Sequence, residues 1–102
     1  MKEKIIVYAD PDIGEIIPGF LENRNSDIDK YLKALEQNDF ETIRILGHSM
    51  KGSGAGYGFD VLTDIGSSIE KAAKKEEGPE IEALVEELKD YLERLEVKYE
   101  EE

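Results

Sequence analysis

Apolar residues recur every three or four positions from Phe20 to Leu95, and this helical period limits the fold more than any other feature of the sequence. Phe20, Leu21, Ile28, Tyr31, Leu32 and Leu35 make one stripe, and Phe40, Ile43, Leu46 and Met50 a second. Leu62, Ile65, Ile69, Ala72 and Ala73 make a third, and Ile81, Leu84, Leu88, Tyr91, Leu92 and Leu95 a fourth. Turn signals separate them: Asn38-Asp39, the GYG run at 56–58 and Gly78-Pro79. Pro18 suits the start of the first helix, because its missing N–H costs nothing there. Ser26 with Asp29 is a weak capping box that would allow a break near Asn25. One continuous helix to about Gln37 is the preferred reading. The second helix is expected from Phe40 to about Ala55. Asp60 is expected to cap the third, with Lys74 and Lys75 suiting its C-terminal dipole. The fourth is expected to fray near Tyr99.

Four amphipathic helices with short connections predict an all-α fold, an up-down antiparallel four-helix bundle. A short N-terminal extended segment and a helical turn precede it. The 102 residues make one domain: a lead-in at 1–11, the bundle at 12–99 and a frayed tail at 100–102. The lead-in contains KIIVYAD, whose β-branched residues read as extended. With Asp10 and Asp12 it resembles the first strand of a receiver domain. A receiver needs several more strands alternating with helices, and nothing later in the chain reads as a strand.

Composition removes several classes of function. No cysteine is present, which excludes disulfides, thiolate metal sites and thiol catalysis, and a single histidine excludes a two-His metal site within one chain. A net charge of −12 argues against nucleic acid or an anionic membrane as partner. No apolar run approaches the roughly 20 residues of a membrane span, and no signal peptide is legible. The expected location is the cytoplasm, and no cofactor is expected.

The informative stretch is residues 46–59, LGHSMKGSGAGYGF. Gly47 and Gly52 frame a P-loop-like spacing, but Ser53 stands where the lysine should be. The nucleophile elbow fails at Lys51, the dinucleotide fingerprint at Tyr57 and the di-iron bundle motif at Ile45. On a helical wheel with Ile43 at zero, Leu46, Gly47, Met50 and Gly54 fall between about −60° and +40°, the core face. His48 falls near 140°, pointing to solvent. Arg44, Ile45, Lys51, Gly52 and Ala55 surround it. A glycine inside a helix costs about 1 kcal/mol relative to alanine. Gly52 faces outward, one turn from His48, where it clears the space above the imidazole. Lys51 puts a cation where a dianion would sit. An exposed histidine with a clear approach and an adjacent ammonium is poised as a nucleophile, and a phosphoryl group is its natural electrophile.

Residues 48–59, HSMKGSGAGYGF, closely resemble the signature of histidine phosphotransfer (HPt) domains, related to the phosphotransfer domain of chemotaxis histidine kinases. The match continues through Leu62 to Ile69-Glu70. The resemblance implies that His48 is phosphorylated, with Lys51 as phosphate stabiliser and Gly52 as the clearance residue. In the chemotaxis type a glutamate 22 residues past the histidine bonds its other ring nitrogen, and Glu70 matches it. A second histidine of that type is Ser67 here, which favours a relay module over direct kinase chemistry.

The implied protein is a phosphocarrier of two-component signalling, without kinase or ATP-binding domain. Its partners would be a response-regulator receiver domain and a sensor or hybrid histidine kinase, with the chain itself a monomer. Arg44, Ile45 and Ala55 are the candidate docking residues. Residues 41–75 hold five basic against four acidic residues, a net +1, which leaves −13 for the rest of the chain. Receiver active sites are acidic, so this face would steer the encounter. The alternative is an unphosphorylated helical adaptor that docks receivers or kinases.

Overall fold

The computed structural model describes residues 3–99. A strand, β1 (Ile5–Ala9), leads through a 3₁₀ turn (Pro11–Ile13) into four helices: α1 (Ile17–Glu36), α2 (Phe40–Tyr57), α3 (Asp60–Lys74) and α4 (Gly78–Arg94). A second strand, β2 (Leu95–Tyr99), follows α4 directly. The helices form the expected bundle. Consecutive helices pack side by side and α4 closes against α1.

Local chemistry sets the helix ends. The Asp10 carboxylate accepts the Asp12 amide at 2.9 Å and opens the 3₁₀ turn. α1 is continuous, with Ser26 inside it, so the capping box at Ser26 is not used. Asp39 caps α2, accepting the Thr42 amide at 3.1 Å and its hydroxyl at 2.6 Å. α2 runs two residues past the expected Ala55 and stops at Gly58, whose φ of 82° is the left-handed conformation that glycine adopts without penalty. Asp60 is not the cap of α3. Phe59 holds that position without a side-chain bond, because its ring is drawn into the core against Phe20, and Asp60 becomes the first helical residue.

Tyr31, Ile43, Leu62, Ile69, Ile81 and Leu88 are fully buried and bring the four stripes together. Leu32 departs from its stripe and is 41% exposed. The largest difference from the sequence reading lies at residues 95–99, which are a strand and not the end of α4. β2 pairs in parallel with β1, setting Ile5 beside Leu95, Val7 beside Val97 and Ala9 beside Tyr99. Segment 5–9 is therefore half of a small sheet rather than a lead-in. Tyr99 also covers Gly14, donating its hydroxyl to that carbonyl at 3.4 Å. The tail expected at 100–102 lies outside the described residues. No helix among the described residues is long and apolar enough to cross a membrane.

Candidate functional site

α2 and α3 make by far the closest helix contact in the bundle, and glycines permit it. A Cβ on Gly47 would lie 2.9 Å from both the Glu70 amide nitrogen and the Gly66 carbonyl. One on Gly54 would lie 2.8 Å from the Thr63 nitrogen, and one on Gly66 would lie 2.6 Å from the Lys51 nitrogen. Backbone therefore meets backbone along this seam, where any side chain would hold the helices apart. The Thr63 hydroxyl adds a bond to the Lys51 carbonyl at 3.3 Å.

Close approach brings Glu70 of α3 under His48 of α2. Nδ1 of His48 lies 3.0 Å from Glu70 Oε2. The His48 side chain is 69% exposed, while that of Glu70 is 11% exposed. Lys51 Nζ stands 3.8 Å from Glu70 Oε1, and Lys74 Nζ 4.0 Å from Oε2. Burial alone would push the Glu70 carboxyl up. The His48 hydrogen bond and the charges of Lys74 and Lys51 outweigh it and hold the group below the ordinary carboxylate value. An ionised carboxylate only accepts hydrogen bonds, so the Nδ1 N–H donates to it, and in the neutral ring the lone pair is then the one on Nε2.

Gly52 lies one turn further along α2, and a Cβ built there meets nothing within 4 Å. Ile45, 53% exposed, and Ala55 lie on the same outer surface. Arg44 is less available than its position on the wheel suggested, because both carboxylate oxygens of Glu41 hold its guanidinium. His48, Lys51, Gly52 and Glu70 thus form one cluster. Arg44, Ile45 and Ala55 are arranged along its flank.

Two participants in the surrounding structure escaped the sequence reading. Gly66 supplies the α3 half of the seam, but its partner atoms are on another helix and nothing local marks it. Arg24 and Asp27 form an ion pair at 2.8 Å, with side chains only 15% and 8% exposed. Arg24 also donates to Ser53 Oγ at 3.0 Å, tying α1 to α2 five residues beyond His48. A signal for this pair existed: Asp27 falls on the Phe20–Tyr31 stripe, where a charge needs a partner. Among the described residues no three His, Cys, Asp or Glu side chains converge in a way that could hold a metal ion.

A family model described as the Hpt domain matches residues 15–98, which takes in all four helices and all but the last residue of β2. The chain belongs to the Hpt domain family. Hpt domains are phosphocarrier modules of two-component phosphorelays and lack kinase activity of their own. No curated protein and no solved structure matches the chain. β1 precedes the span matched to the Hpt domain.

Proposed function

We propose that this Hpt domain carries a phosphoryl group on Nε2 of His48 and exchanges it with the aspartate of a response-regulator receiver domain. The observation that carries this reading is the 3.0 Å contact between a buried, ionised Glu70 and Nδ1 of an otherwise exposed ring. It fixes the tautomer and aims the free lone pair of Nε2 at solvent.

In the transfer, that lone pair forms an N–P bond as the P–O bond to the receiver's aspartate breaks. The bonding electron pair leaves with the aspartate carboxylate. The ring keeps its Nδ1 proton and becomes cationic, and the Glu70 carboxylate opposite stabilises that charge. The same steps in reverse return the phosphoryl group. Lys51 is half-exposed and its ammonium can swing from Glu70 toward the phosphoryl oxygens, which carry a charge of about −2. Gly52 leaves room for the receiver to approach. Ile45, Ala55 and Arg44 offer the surrounding contact surface, and a sensor or hybrid histidine kinase is the other class of partner.

Incubation with a phosphorylated receiver tests the reading. The expected label sits on one residue, is acid-labile and base-stable as phosphoramidates are, and is absent from His48→Gln. An acid-stable label on Ser49 or Ser53 would overturn it. A wild-type chain that binds the receiver without taking up label would leave the adaptor reading in its place.

A further inference from the structure

β1 and β2 form a parallel pair, and no third strand joins them among the described residues. Parallel strands occur almost only in larger sheets covered on both faces, and an isolated two-stranded sheet is marginal in water. One face of this pair is accounted for, since Ile5, Val7 and Ala9 pack toward the core. The other face presents Ile6 and Tyr8, which are 46% and 63% exposed. Among the described residues, the backbone of β1 hydrogen-bonds to no segment but β2.

Proteins normally blunt such an edge with charge, proline or a bulge. β2 does so, with Glu96 and Lys98 on its outer face. β1 does not: from Ile5 to Ala9 it has neither a charge nor a proline. It also precedes the span that matches the Hpt domain, so the family relationship does not account for it.

We propose that the free edge of β1 is a self-pairing seam. Two copies of this chain join antiparallel, β1 against β1, about a two-fold axis at Val7. The result is a four-stranded sheet in the order β2–β1–β1–β2. The register follows from the side chains. An axis at Val7 sets Ile6 opposite Tyr8 of the second copy, Ile5 opposite Ala9, and Lys4 opposite Asp10. The exposed apolar residues then meet each other, a β-branched side chain against an aromatic one, and an opposite-charge pair closes each end. Moving the axis to Ile6 sets Lys4 against Tyr8, and moving it to Tyr8 sets Asp10 against Ile6. Both put a charge on an apolar partner.

Electrostatics does not oppose pairing at this place. A chain of net charge −12 resists its own copy, but the charged residues within the two strands and directly flanking β1, namely Lys4, Asp10, Glu96 and Lys98, sum to zero. The symmetry closes the assembly at two, since each copy uses its β1 edge once and the charged β2 edge stays outside. A seam five residues long belongs to the small, transient class of interface, under about 1,200 Å². The sequence reading expected a monomer, with segment 1–11 as a lead-in; the pairing of β1 with β2 turns that lead-in into a sheet edge. The inference is independent of the role given to His48.

Sedimentation equilibrium of the full chain from micromolar to near-millimolar concentration tests it. The expected result is monomer passing to dimer, with nothing larger. Ile6→Lys combined with Tyr8→Thr should remain monomeric throughout with an unchanged helical circular dichroism spectrum, because the ammonium introduced at position 6 would lie beside Glu96 of its own chain. The register has its own readout, since the chain has no cysteine. Ile6→Cys and Tyr8→Cys, mixed and oxidised, should form the mixed disulfide faster than either forms a disulfide with itself. A wild-type monomer at every concentration would overturn the proposal. So would a dimer that survives the double substitution, an open-ended assembly, or equal rates for all three disulfides.

Discussion

A Cβ added at Gly52 meets nothing within 4 Å, whereas one added at Gly47, one residue before His48, meets the α3 backbone at 2.9 Å. Both are helix-interior glycines of α2, and both cost helix stability relative to alanine. The Gly47 cost is offset by close packing. The Gly52 cost has no such compensation, and in the proposed function its use is to keep the approach to His48 open. Stability and function therefore pull in opposite directions at Gly52. Gly52→Ala should stabilise the fold by up to about 1 kcal/mol. Gly52→Gln should fold normally, because the position faces solvent. Both should slow exchange with a receiver, Gln far more, as its side chain rises over the imidazole edge. Thermal unfolding and single-turnover transfer rates separate the two effects. A Gln variant transferring at the wild-type rate would show that the receiver reaches His48 from another side.

At the scale of elements, the α2–α3 seam sets the distance between His48 and Glu70. Gly66 lies one turn before Glu70, and its Cβ position is 2.6 Å from the Lys51 nitrogen and 2.7 Å from the Gly47 carbonyl. These are backbone atoms and cannot rotate away. Gly66→Ala should therefore push α3 from α2, destabilise the bundle by about 1–3 kcal/mol and lengthen the His48–Glu70 bond. Denaturant unfolding reads the first effect. The NMR signal of the hydrogen-bonded Nδ1 proton reads the second, which a loss of stability alone would not move. Unchanged stability would mean that the seam tolerates a methyl group. The sequence disclosed α2 with its inward and outward glycines, because a helical wheel is a local property. It could not disclose Gly66, whose constraint comes from another helix. β2 was hidden for a related reason. Leu88, Tyr91, Leu92 and Leu95 keep the helical period into residue 95. The alternation of Leu95, Val97 and Tyr99 becomes decisive only beside a partner strand 90 residues away, at Ile5. Glu70 was legible only through the family resemblance, which implies a glutamate at that distance from His48, while the Arg24–Asp27–Ser53 link needed the packing of α1 on α2.

Over the whole molecule, charge is the dominant unbalanced term. The chain carries 25 acidic against 13 basic residues. α4 concentrates the imbalance, with Glu80, Glu82, Glu86, Glu87, Asp90 and Glu93 against Lys89 and Arg94. Crowding is visible where α4 begins: a hydrogen bond that the protonated Glu80 carboxyl donates to Glu77, and the charge of Glu77, push Glu80 above its ordinary value. Opposing this are a few specific pairs. Arg24–Asp27 is nearly buried, so salt screens it weakly. Lys4–Glu96 and Arg44–Glu41 are more exposed, and pairs of that kind contribute little. Diffuse repulsion should therefore outweigh the screenable attractions. Raising sodium chloride should stabilise the monomer, by about 1 kcal/mol, or roughly 4 °C in melting temperature for a domain of this size. Calorimetry at a dilution where the chain is monomeric checks this without interference from self-pairing. The site adds a contrast within the same experiment. Lys51 and Lys74 flank Glu70 beside His48 with positive charge, so salt should slow the encounter with an acidic receiver while it strengthens the fold. A melting temperature that fell with salt would reverse the balance, and would mean that the few ion pairs, not the surplus of carboxylates, govern the stability of this molecule.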